Sequence, residues 1–128
     1  MRKTSRVLIQ LALGLALFPG VVLSAPRGKT ATVKGYVLDS ACAFVKDLKK
    51  PVSPECAVAC AKAGSPLVIL SDEGMIYWPV SSAVPAVGQN DRLLPFAGKR
   101  VTVQGEVLEK GGSRAMVIAS IKELGTHP

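Results

Sequence analysis

The sequence predicts a small all-β domain with minor helical content, in which five strands close into a barrel. Three observations predict it. Segments of alternating apolar and polar residues recur along the chain, turn residues separate them, and two of the segments have a glycine at their centre. The chain has 128 residues, of which 48% are hydrophobic and 20% charged. This length suits a single domain, and this composition excludes an intrinsically disordered chain.

The first 24 residues are set apart from the fold because they have the layout of a secretory signal peptide. Basic residues occur within the first six positions, an apolar run covers 7–17, and small residues follow at Ser24 and Ala25. Pro19 and Gly20 interrupt the apolar stretch where a membrane-spanning helix would continue. We therefore expect cleavage near Ser24/Ala25, a periplasmic or secreted protein, and no transmembrane segment after cleavage.

The rest of the chain divides into a flexible lead-in at 25–29, a barrel domain at 30–124 and a tail at 125–128. The first strand is expected at 30–39, where apolar residues alternate around Gly35. A glycine weakens the interior of a strand, so this one predicts a bulge or a sharp bend.

A loop at 40–52 and then a helix are expected next. Ser53 is the predicted N-cap, Pro54 stands at the first helical position, and Gly64 ends the helix. Two of the three cysteines of the chain lie on this helix.

The second half of the chain supplies the other four strands, expected at 67–70, 75–80, 99–109 and 114–124. Turn residues join the second strand to the third and the fourth to the fifth, and a short helical turn is expected at 91–97. The segment 102–109 repeats the pattern of 32–39, with Gly105 in the place of Gly35.

This order of elements matches an OB-fold, in which five strands close a Greek-key barrel and a helix connects the third strand to the fourth. The helical turn at 91–97 falls at that connection. The cysteine-bearing helix is then an insertion between strands 1 and 2, beside the usual binding face of such barrels. A small open β-sandwich is the alternative.

Three stretches resemble a group of small exported bacterial proteins with an OB-fold-like barrel and no assigned activity. The most specific is the Cys-Ala-x-x-Cys-Ala-x-x-Gly-x-Pro-Leu motif at 56–67, and the others are 35–42 and 94–105. A His often stands three residues before the first Cys of that helix in the group, whereas this chain has Ser53 there. The resemblance implies the fold and export, and it implies no reaction.

The three cysteines are the strongest candidates for a chemical role in this sequence. Cys56 and Cys60 stand four residues apart on a helix, so their sulfurs share one face, and Cys42 closes the preceding loop. The helix dipole favours a thiolate in the first turn, where Cys56 lies. Three converging thiolates suit Cu(I) or Zn²⁺, and Asp39 is the nearest candidate for a fourth, oxygen ligand. The leading hypothesis is a non-enzymatic exported module that binds a metal ion.

Two other interpretations of the cysteines stay open. Exported proteins meet an oxidising environment, so Cys42 could pair with Cys56 or Cys60 in a disulfide that leaves one thiol over. The protein would then be a structural or protein-interaction module stapled by one disulfide. The odd thiol also permits a thiol redox function, although Cys-x-x-x-Cys is not the thioredoxin motif.

Other functional signals are weaker. The only histidine, His127, stands one residue from the end, which disfavours His-based catalysis. Tyr36, Tyr77 and Trp78 are candidates for a ligand-stacking patch, although packing is the commoner role of aromatic residues in strands. Three charges of the formal net charge of +7 come from the first six residues, and the other basic residues are scattered. A metal ion or an envelope protein is therefore the expected partner, rather than a nucleic acid.

The signal-peptide hypothesis predicts the N-terminus of the exported protein. Mass spectrometry of the protein recovered from the periplasm or medium should place it at Ala25 or within a few residues of it. Recovery of the full-length chain from the membrane fraction would contradict this.

Overall fold

The computed structural model describes residues 28–125, and the expected signal peptide and most of the lead-in and tail lie outside them. The strands follow the predicted bounds to within one residue. The elements of the described chain are β1 (Lys29–Asp39), α1 (Ser40–Phe44), α2 (Pro54–Lys62), β2 (Leu67–Ser71), β3 (Ile76–Pro79), α3 (Asn90–Leu93), a 3₁₀ turn (Leu94–Phe96), β4 (Arg100–Lys110) and β5 (Ser113–Glu123). No helix within 28–125 has the length and apolar character needed to cross a membrane.

The five strands form a closed barrel in the order β1-β2-β3-β5-β4, as the OB-fold prediction requires. All neighbours are antiparallel except β3 and β5, which are parallel. The long strand β1 closes the barrel because it pairs with β4 over most of its length and with β2 at its end. The alternative of an open β-sandwich is wrong, since β1 pairs on both sides and joins the two halves of the sheet.

Both predicted strand positions require a glycine, because the backbone of a neighbouring strand approaches each of them closely. At Gly35, β1 pairs with β2 and β4 at once, and an added Cβ would overlap the carbonyl of Leu70. At Gly105, the register between β4 and β5 shifts, as predicted for a bulge, and an added Cβ would overlap the carbonyl of Val117. The first glycine thus marks a change of partner and the second marks a bulge.

Apolar side chains fill the barrel, and α2 covers the same core with small residues. The barrel core is formed by Val33, Val37, Leu67, Ile69, Tyr77, Leu93, Ala97, Val101, Val103, Met116 and Ile118, together with Ala57 and Ala61 of α2. A second cluster lies on the other face of β1 and β2, where Ala43 of α1 packs against Leu38, Val68 and Leu70.

The prediction of a loop throughout 40–52 is wrong at its start, because Ser40–Phe44 forms the one-turn helix α1. Asp39 caps this helix through its side chain, which accepts the N–H of Cys42. One turn is too short to show a helical period in the sequence. The cap and the packing of Ala43 therefore decide the conformation of this segment.

Because the backbone of Val117 lies so close to Gly105, adding a single methyl group at this position should destabilise the fold. Gly105→Ala should lower the free energy of unfolding by about 1–3 kcal/mol, because the bulge must shift to remove the overlap. Thermal melting should show a drop of several degrees. Gly88→Ala is the matched control, since a Cβ at Gly88 meets nothing within 4 Å. Equal melting temperatures for the two variants would contradict the explanation.

Candidate metal centre

Three thiols meet beside the barrel, as the sequence predicted. The Sγ atoms of Cys42, Cys56 and Cys60 all lie within 4.8 Å of one another. Each cysteine is half-buried and each is a free thiol, so no disulfide joins them. The cluster is therefore partly accessible to solvent and consists of three free thiols.

The barrel brings these cysteines together because the insertion leaves and re-enters it at paired positions. The chain departs after Asp39 and returns at Leu67, and these two residues are register partners in the β1–β2 ladder. The N–H of Ser40 also donates to the carbonyl of Pro66 at 2.8 Å. The start of α1 is consequently held against the segment that follows α2.

Helix α2 positions two of the thiols. The hydroxyl of Ser53 accepts the N–H of Cys56 at 3.1 Å, and Pro54 stands in the first turn, so the helix begins where the sequence predicted. Ala57 and Ala61 face the barrel core and fix the rotation of the helix about its axis. Cys56 and Cys60, one residue earlier in each turn, then share the adjacent face.

Asp39 positions the third thiol. Its Oδ1 accepts the N–H of Cys42 at 3.0 Å and the hydroxyl of Ser65 at 3.2 Å. The residue is only 1% exposed, so both contacts lie in the interior of the site. Ser65 follows α2 and Cys42 belongs to α1, which means that one carboxylate ties the two halves of the insertion together. Nothing in the sequence around Ser65 signals this role.

The carboxylate and the thiols control each other's protonation. Burial disfavours the charged form of Asp39, but hydrogen bonds from Cys42, Ser65 and Cys60 outweigh it and lower the pKa of the carboxyl. The hydrogen bond to Asp39, burial and the carboxylate charge raise the pKa of Cys42 to about 12. Partial burial is the largest cause that raises the pKa of Cys60, and the negative charge of Asp39 is the next. Cys42 and Cys60 thus keep their protons at neutral pH, and any metal ion that bound their sulfurs would have to displace these protons.

The other predicted site residues occupy different places. The carboxylate oxygens of Asp39 contact the cluster by hydrogen bonds but lie outside the set of donor atoms within 4.8 Å of one another. Tyr77 is buried in the barrel core, whereas Tyr36 and Trp78 pack half-buried against the second apolar cluster. The three aromatic residues therefore do not form one continuous patch.

One aromatic contact beside the site was not expected from the sequence. The ring of Phe44, on the same helix as Cys42, stacks on Trp78 with centroids 6.0 Å apart and an interplanar angle of 19°. Phe44 remains 59% exposed. The two residues are distant in sequence, so no local pattern relates them. The prediction of a loop at 40–52 also left the direction of the Phe44 side chain undefined, because that direction is set by helix α1.

Comparison of the chain with protein-family models, with curated proteins and with solved structures yields no match. The functional argument therefore depends on the geometry of the site alone.

The contact between Asp39 and Cys42 predicts a change in thiol reactivity. Asp39→Asn removes the carboxylate charge, so the pKa of Cys42 should fall from about 12 toward the ordinary thiol value, and its thiolate fraction at pH 8 should rise. Alkylation of Cys42 by iodoacetamide, followed on the digested peptides by mass spectrometry, should accelerate at least about tenfold.

Asp47→Asn is the matched control, because Asp47 lies on the exposed loop and pairs with Lys49 there. A rate for Cys42 that is the same in the parent and in both variants would show that Asp39 does not hold the thiol proton.

Proposed function

We propose that the protein is an exported metal-binding module in which Cys42, Cys56 and Cys60 hold one thiophilic ion, Cu(I) or Zn²⁺. The observation that carries this proposal is the mutual distance of at most 4.8 Å between the three Sγ atoms. Thiolates are preferred ligands of both ions. A small contraction of side chains is enough to place all three sulfurs around one ion.

The backbone around the site favours binding over an incidental grouping of cysteines. The two helices that carry the thiols each begin at a side-chain cap, Asp39 for α1 and Ser53 for α2. Binding therefore requires rotation of side chains rather than rearrangement of the chain, which keeps the entropic cost of assembling the site low. Half-burial leaves the sulfurs accessible to an arriving ion.

We propose that this module binds the ion and does not catalyse a reaction. Among residues 28–125, Asp39 is the acidic side chain bonded to the cysteine-bearing segment, and its Oδ1 already accepts the N–H of Cys42 and the hydroxyl of Ser65. A catalytic site would need a general base with a free position toward a substrate. The signal-peptide layout of the first 24 residues supports export of this module.

A disulfide-stapled barrel is the second candidate, and the same proximity favours it. An oxidising compartment could link Cys42 to Cys56 or to Cys60, since their sulfurs are already neighbours. The bond would close a loop of about 15–19 residues and stabilise the fold by about 3 kcal/mol in the chain-entropy model. One thiol would then be left without a structural role.

Single Cys→Ser substitutions separate the two candidates. The reduced protein, kept free of oxygen, should bind one Cu(I) or Zn²⁺ per chain in a chelator-competition titration. Ser at position 42, 56 or 60 should weaken binding by about 100-fold or more in each case, because each thiolate is a ligand. Ala59→Ser is the control, since Ala59 lies on α2 and is exposed.

The disulfide candidate predicts a different pattern in the same variants. Two substitutions would lower the melting temperature of the oxidised protein by several degrees, and the third would be silent. A reduced protein that binds neither ion, combined with that pattern, would overturn the metal proposal.

A further inference from the structure

We propose that the protein docks on the surface of an anionic phospholipid bilayer through two segments, 44–52 and 80–89, that meet at Trp78. These segments and the Trp78 side chain are called the Trp78 surface below. The inference concerns a face of the molecule beside the cysteines and does not depend on whether a metal ion binds there. It is carried by the positions of the exposed apolar side chains and by the lysines that accompany them.

The large apolar side chains that are exposed are confined to these two segments. Five such side chains occur among residues 28–125, and none of them lies on a barrel strand. They are Phe44, Val45 and Val52 in the first segment and Val84 and Val87 in the second. Single apolar residues scattered over a surface are ordinary, whereas a grouping of them marks an interaction site.

Trp78 connects the two segments. The ring of Phe44 stacks on it with centroids 6.0 Å apart, and Val87 lines the same groove as Trp78 and Pro79. The segment 80–89 thus leaves β3 directly after Pro79 and returns to the side of Trp78 at Val87. The apolar side chains of both segments therefore belong to one surface.

The most exposed of these side chains project from the protein. Val84 is 97% exposed and Val45 is 83% exposed, so neighbouring side chains barely cover them. A bilayer accepts projecting apolar side chains at the boundary between headgroups and acyl chains without a matching pocket. The segment 80–89 also contains no charged residue, which removes the cost of bringing a charge into that boundary. These features favour a bilayer over a protein partner.

The first segment adds positive charge beside the apolar side chains. Lys46, Lys49 and Lys50 are exposed there. Asp47 is the one acidic residue of 44–52, and it pairs with Lys49. Lys46 and Lys50 take part in none of the ion pairs formed among residues 28–125. Lysines in such a position attract anionic lipids, and their long stems let the ammonium groups stay at headgroup level. The charge therefore selects an anionic bilayer over an uncharged one.

Vesicle binding of the chain from residue 25 onward, kept reduced and free of metal, tests this proposal. The closed barrel lies wholly within that chain, and the apolar run at 7–17 would itself enter a bilayer if it were retained. The protein should sediment with vesicles of phosphatidylglycerol and phosphatidylcholine in equal parts, and it should bind phosphatidylcholine alone at least about tenfold more weakly. Added salt should weaken the binding, because it screens the lysines.

Trp78 reports the contact directly, since it is the only tryptophan of the chain. Its fluorescence should shift to shorter wavelength on binding, and lipids with brominated acyl chains should quench it. Binding that leaves the Trp78 emission unchanged would place the contact elsewhere on the molecule and would overturn the proposal.

A pair of lysine substitutions tests the charges. Lys46→Glu combined with Lys50→Glu should weaken binding to the anionic vesicles at least about tenfold. Lys29→Glu combined with Lys122→Glu is the matched control, because it makes the same change of charge at exposed positions on β1 and β5. At physiological salt the control should lose less than about threefold, since distant charges are screened. Equal losses in the two pairs would overturn the proposal.

A pair of valine substitutions tests the apolar contact. Val45→Ser combined with Val84→Ser should weaken binding at least about fivefold and should leave the melting temperature unchanged, because both side chains are exposed. Unchanged binding in this variant would overturn the proposal, as would failure of the parent to bind anionic vesicles. Self-association of the parent without vesicle binding, abolished by the same two substitutions, would assign the surface to a second copy of the chain instead. Metal titration of the cysteines is a separate measurement, so each of these failures leaves the proposed metal site standing.

Discussion

The site depends on one rung of the β1–β2 ladder. Asp39 and Leu67 are register partners there, and everything between them is the insertion that carries the three cysteines. A closed loop whose ends are fixed by the barrel has far less conformational freedom than the same segment in an open chain. The barrel thus acts on the cysteines indirectly, by fixing where the inserted segment begins and ends.

Asp39 holds the cysteine-bearing segments in place at the fixed ends of the insertion. It is the last residue of β1, the cap of α1, and the acceptor for groups on both sides of α2. The same carboxylate raises the pKa of Cys42, so the side chain that builds the site also keeps this thiol protonated. A metal ion bound there, as we propose, would displace this proton, so the affinity for metal should weaken as the pH falls.

The sequence was sufficient to predict the strands, the barrel and helix α2, because each has a local signal. Ser53 and Pro54 define the start of α2, and the glycines at 35 and 105 indicated the places where strands approach closely. Helix α1 was missed because its stability comes from Asp39 and from packing on Leu38 and Val68, neither of which a single turn reveals in sequence.

The candidate site was predictable in composition and not in geometry. The spacing of Cys56 and Cys60 placed two sulfurs on one helix face, but the distance to Cys42 depends on the pairing of β1 with β2, which is a long-range property. The contacts of Ser65 with Asp39 and of Phe44 with Trp78 had no sequence signal for the same reason.

X-ray absorption at the zinc K edge of the reduced, zinc-loaded protein tests the central claim most directly, because it counts the atoms bound to the ion. The account predicts a first shell that contains three sulfurs at the distances typical of zinc bound by thiolates. A shell with fewer than three sulfurs would show that Cys42, Cys56 and Cys60 do not act together and would contradict the account.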